Sequence, residues 1–129
     1  MDYIFELVPK SKSDILGIEK LKSIEPGEAE PILESLMEWM QDINWPVAHE
    51  LIKVLPRFHI QLIPVIRNIF KTDDDIWKYW TLELLKSFPR ETLFMLQSEI
   101  ERMAKFPTDG EKTEEVDINA NEILSLISF

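Results

Sequence analysis

Few residues in this 129-residue chain have the types and spacing for chemistry. His49 and His59 lack the partners that a proton relay or a bound metal needs. No Glu-x-x-His or His-Glu-x-x-His stands around either, and neither a Gly-x-Ser-x-Gly elbow nor a glycine-rich phosphate loop occurs. His49 falls on the polar side of a predicted helix with Glu50 and Lys53, where a solvated histidine is the expectation. Asp73-Asp74-Asp75 suggests a cation loop only at first sight, because oxygen-ligand loops alternate their ligands and add a distant carboxylate. Three adjacent aspartates ahead of a helix suit N-capping and the helix dipole instead. The chain has no cysteine, so thiolate metal sites and disulfides are excluded. No catalytic residue, no metal and no cofactor is expected.

Two other groupings suit binding better than reaction. Glu30, Glu34, Glu38 and Asp42 recur every four residues, which stacks four carboxylates along one side of a helix and its end. Like charges at that spacing destabilise a helix by roughly a few tenths of a kcal/mol per pair. No lysine or arginine between Gly27 and Ile52 offsets them. The row serves solubility, or it steers a basic protein surface. Trp39 and Trp45 flank the turn that follows and are close enough to meet across it, as a plug at the end of the core or as an aromatic anchor for a partner. Trp77 and Trp80 lie beside Leu84 on an inner helix face and read as core. The candidate partner-binding set is therefore Glu30, Glu34, Glu38, Asp42, Trp39, Trp45 and His49.

Composition bounds what such a set can meet. The apolar fraction of 45% and charged fraction of 29% belong to a folded soluble chain, and the length suits one domain over residues 1–129. Net charge is −10, which opposes a nucleic-acid backbone. Half of that charge falls in Thr108–Phe129, where six acids face one lysine. The N-terminus lacks a basic leader, and no apolar run approaches the ~20 residues that span a bilayer. A cytoplasmic protein without a membrane partner is expected, a monomer or weak dimer.

These residues need helices to position them. Apolar residues recur at helical spacing, and no stretch alternates as a strand does, so the fold class is all-α. Ser13 is placed to cap a helix over 14–23, with Ile15, Leu16, Ile18 and Leu21 facing inward. Helices follow over 28–41, 45–55 (capped by Asn44), 61–71, 76–87, 90–105 and 114–127. The segment 106–110 reads as a loop, and Pro31, Pro46 and Pro64 fall in first turns, where proline is tolerated. Glu50-Leu51-Ile52-Lys53-Val54-Leu55-Pro56-Arg57 returns 33 residues later as Glu83-Leu84-Leu85-Lys86-Ser87-Phe88-Pro89-Arg90. Over 31–57 against 64–90, eight of 27 positions are identical; composition alone would give about two. A fixed period of this size marks stacked helical units. The expectation is a short HEAT-like α-solenoid of antiparallel helix pairs, with copies 31–57 and 64–90 between degenerate caps 1–27 and 91–129. Leu51 and Leu84 then become equivalent core positions.

Three stretches carry a family resemblance: Glu38-Trp39-Met40-Gln41-Asp42-Ile43-Asn44-Trp45-Pro46-Val47-Ala48, Asp73-Asp74-Asp75-Ile76-Trp77-Lys78-Tyr79-Trp80, and Pro107-Thr108-Asp109-Gly110-Glu111-Lys112-Thr113-Glu114-Glu115-Val116-Asp117. They resemble the bacterial family known as domain of unknown function 5071, over nearly the whole chain. The resemblance implies HEAT-like helices and a bacterial cytoplasmic setting, and it implies no activity. From the residues, the expected function is non-catalytic binding of an unknown, basic protein through the acidic and aromatic face. An immunity-type inhibitor of a basic toxin is the alternative within binding. A HEAT-like enzyme acting on nucleic-acid bases is the alternative of another class, and the acidic charge disfavours it.

Overall fold

The computed structural model describes residues 2–127, and among them every regular element is helical. The chain divides into two compact units, residues 1–65 and 66–129. The division falls beside Pro64, where the second sequence copy begins.

In the first unit a 3-10 turn over Asp2–Leu7 precedes α1 (Leu16–Leu21) and α2 (Pro26–Glu38). A 3-10 turn, Trp39–Gln41, leads towards α3 (Pro46–Val54), and another, Leu55–Phe58, leads into α4 (His59–Phe70), whose residues from Ile66 onward belong to the second unit. Pro26 and Pro46 open their helices, where a missing N–H costs nothing. Pro31 and Pro64, expected in first turns, lie inside α2 and α4 instead, because both helices begin earlier than the apolar period suggests. Each therefore forgoes one intrahelical bond. Leu21, Leu36, Met37, Leu51, Leu55 and Phe58 are fully buried and form the centre of this core. Gly17 lets α1 lie against the N-terminal turn: a Cβ there would sit 2.5 Å from the Leu7 carbonyl oxygen, a backbone atom that cannot easily give way.

Two expectations fail at α1. Ser13 does not cap it; Ile15 holds the cap position without a side-chain bond, and the Asp14 carboxylate accepts the Lys10 N–H at 2.9 Å. Starting the helix later turns Ile15 and Leu16 outward, the latter 83% exposed, and leaves Ile18 and Leu21 as its buried pair. Asn44 likewise does not cap α3. Trp45 has the extended cap backbone, while the Asn44 N–H is taken by the Asp42 carboxylate at 2.9 Å.

The second unit holds α5 (Asp75–Leu85), α6 (Arg90–Met95), α7 (Gln97–Lys105), α8 (Asp109–Thr113) and α9 (Val116–Ile127). Asp74 caps α5 by accepting the Trp77 N–H at 3.0 Å, as the aspartate run suggested. α9 packs against α7 and α5 around Leu82, Ile100, Met103, Ala120 and Ile123. The single helix expected over 90–105 is broken at Leu96 (φ −106°, ψ 7°). There the Met95 carbonyl accepts from Arg67 Nη2 at 2.7 Å. Of the expected loop at 106–110, residues 106–108 are non-helical, and Asp109 and Gly110 instead start α8, since Thr108 and Glu111 form a reciprocal capping box.

Leu51 and Leu84 are both fully buried. Beside them Lys53 pairs with Glu50 at 3.3 Å and Lys86 with Glu83 at 2.7 Å, the same pair 33 residues apart. Trp77 and Trp80 are only half-buried, against expectation, and the charged residue between them, Lys78, is the one taken inside.

Candidate interaction site

The acidic row stands largely as its spacing predicts. Glu30, Glu34 and Glu38 are exposed along α2, and none forms an ion pair with any described residue. Asp42 departs from the row: it is half-buried, and one of its carboxylate oxygens accepts the Asn44 N–H. Three of the four carboxylates belong to exposed residues without a partner among the described residues. The position of the last one matters. The last turn of α2 contains no basic residue, and Glu38 sits where the helix dipole is negative and a cation would be favoured. Thirty-three residues on, Glu34 and Glu38 are matched by Arg67 and Lys71, so the row belongs to one sequence copy only.

The arginines that could have neutralised such a row are engaged elsewhere. Arg57 donates to the Leu21 and Ile24 carbonyls at the end of α1, the latter at 3.1 Å. Arg67 pairs with Glu99 at 3.6 Å, Arg90 donates to the Ile127 carbonyl at 2.8 Å, and Arg102 binds Glu111.

Trp39 and Trp45 do meet across the turn. Their ring centroids are 5.4 Å apart with planes at 71°, an edge-to-face contact. Both rings are half-buried, so they neither vanish into the core nor stand free. The 3-10 turn brings Trp39 round after α2, and the extended backbone of Trp45 ahead of α3 returns the second ring to it. With Glu38, Ser35, Gln41, Val8 and Pro9 they line an open cleft of about 380 Å³. His49 is exposed on α3 and does not line that cleft.

The second unit contains a polar cluster that spacing did not reveal. Glu111 is fully buried, yet charged. Arg102 grips it with two bonds of 2.6 Å, Lys78 reaches it at 3.0 Å, and the Thr108 N–H donates at 2.8 Å. Burial alone would raise the carboxyl's pKa. The bonds from Arg102, Thr108 and Lys78 outweigh it and hold the group at about 2. Lys78 also pairs with Asp75 at 2.9 Å, so α5, α7 and α8 meet in one ionic knot. One signal was available in the sequence: Thr108-Asp109-Gly110-Glu111 has the Thr-x-x-Glu spacing of a capping box.

Groups of histidine and carboxylate residues able to hold a metal are absent among the described residues, and no helix there is long and apolar enough to cross a membrane. No curated protein matches the chain. A family model does, over residues 7–124, and the chain belongs to that family, described as Domain of unknown function (DUF5071).

Proposed function

We propose that the chain is a non-catalytic protein-binding module built of HEAT-like helix pairs, bacterial and cytoplasmic in setting, and that residues 1–65 present its binding face to a basic protein. The observation that carries this reading is the uncompensated row Glu30, Glu34 and Glu38, which ends at the tryptophan cleft. A carboxylate at the negative end of a helix, without a nearby cation, is unfavourable in the isolated protein. A lysine or arginine from a partner removes both the repulsion along the row and the clash with the dipole. The half-exposed tryptophan pair beside it supplies the apolar anchor that charge steering alone lacks.

The test replaces Glu34 and Glu38 by glutamine, which keeps size and helix propensity. Association with a lysine- and arginine-rich peptide is followed by stopped flow over a range of salt. A control, Asp73→Asn with Glu91→Gln, removes two exposed charges from the unit of residues 66–129. The row variant should associate more slowly and lose most of its salt dependence. It should be as stable as the parent, or more stable by roughly a few tenths of a kcal/mol. If the control variant slows association equally, net charge alone is responsible and the face has no special role.

A further inference from the structure

Two of the three sequence stretches that carry the family resemblance converge on a second cleft, in the unit of residues 66–129. Ile76, Tyr79 and Trp80 from α5 line one side of it, and Thr113, Glu114 and Glu115 from the end of α8 line the other. Its volume is about 280 Å³. The Tyr79 and Trp80 rings lie 5.0 Å apart with planes at 86°, an edge-to-face contact that holds each ring in place at the cleft. Ile76 adds half-exposed apolar surface. Glu114 and Glu115 are exposed and form no ion pair among the described residues. Two aromatic rings, an aliphatic side chain and uncompensated acidic residues match the chemistry of an organic cation, whose charge is attracted by aromatic rings and whose alkyl groups need apolar contact.

Two further features bear on this cleft. Glu115 has φ 61°, the left-handed conformation that strains any residue with a Cβ and that glycine adopts freely at the end of a helix. The dipole of α9 does not require an acid there, since Asp117 already occupies its first turn. A glutamate is held in a glycine position, at the edge of a cleft that it helps to line. The knot of Asp75, Lys78, Glu111 and Arg102 ties α8 to α5. Besides its contribution to stability, a buried ion pair with its hydrogen bonds made holds its partners in one geometry. Here it fixes the acidic end of α8 against the aromatic residues of α5.

We propose that the cleft of Ile76, Tyr79, Trp80, Glu114 and Glu115 is a binding site for an alkylated ammonium head group, borne by a small molecule or by a methylated lysine side chain. This site is separate from the acidic row of residues 1–65 and stands or falls without it.

The full chain is titrated with choline and, in parallel, with its neutral isostere 3,3-dimethylbutan-1-ol, following the Trp80 indole and the Glu114 and Glu115 amide signals by NMR. Choline should shift these signals saturably and the isostere should bind more weakly. Trp80→Leu should weaken choline binding about 2- to 30-fold, the range of a cation–π contact. Glu115→Gly should weaken it about two- to fivefold, as loss of an exposed charge pair does, while the melting temperature stays level or rises. That second variant keeps the test decisive if Trp80→Leu does not fold. A trimethyllysine peptide compared with choline identifies which source of the head group binds more tightly. Equal binding of the neutral isostere, unchanged choline affinity in Glu115→Gly, shifts confined to Trp39 and Trp45, or no saturation with either cation would each overturn the proposal.

Discussion

At the scale of single residues, the face of the helix separates what is buried from what is not. Leu84 is fully buried, whereas Glu83, its neighbour, is half-exposed and paired with Lys86. Leu84→Ala should cost about 2–5 kcal/mol in a denaturant titration, because it removes methylene burial and leaves a cavity. Glu83→Ala should cost no more than about 1 kcal/mol, because its ion pair is screened by solvent. Equal costs would mean that the two faces of α5 are misassigned. The sequence made Leu51 and Leu84 legible because aliphatic residues at a helical period have one economical place to go. It made Lys78 illegible. A lysine between two tryptophans reads as solvated, and only the arrival of Glu111 from 33 residues downstream makes its burial tolerable. Local pattern holds no trace of such a partner. Trp77 and Trp80 are half-buried where their spacing implies core, and the residue taken inside at that turn is Lys78 with its ion pairs.

At the scale of elements, the helices themselves were legible and their ends were not. Where a helix stops here depends on a long-range donor or a local cap more than on a change in apolar period. The break at Leu96 coincides with Arg67 reaching the Met95 carbonyl, which no reading of residues 90–105 alone could supply. α8 is the opposite case. It is only five residues long, too short to persist by propensity, and it owes its existence to Thr108 and Glu111. The Thr108 hydroxyl accepts the Glu111 N–H at 3.1 Å. Thr108→Ala should therefore lower stability by about 0.5–2 kcal/mol in thermal unfolding. Thr108→Ser keeps the oxygen and should recover most of the loss; if it fails to, the methyl group rather than the cap is what matters.

At the scale of the whole molecule, charge is the dominant variable. The chain carries −10, and the one strongly shifted carboxyl among the described residues links that charge to pH. Glu111 titrates at about 2 in the folded protein against an ordinary 4.5. A depressed folded pKa contributes stability that is fully present above the ordinary value and is lost as pH falls from there through about 2. The contribution is on the order of 3 kcal/mol. Glu111→Gln should be destabilised near neutrality, because it strands Lys78 and Arg102. Its deficit relative to the parent should shrink by about 3 kcal/mol between pH 5 and pH 2 in denaturant titrations. A deficit that stays constant with pH would place the acid sensitivity in other carboxylates. The two proline–arginine corners bear on the chain from another direction. Arg57 fastens carbonyls at the close of α1, near one end of the sequence, and Arg90 fastens the Ile127 carbonyl near the other. Helix ends normally fray within their own last turn, opening and closing many times for each global unfolding event. Here the final turn of α9 can open only by releasing a guanidinium anchored 37 residues earlier in α6. Slow amide exchange should thus extend close to the last turn of α9, and the local opening rate there becomes a property of a distant corner rather than of the tail.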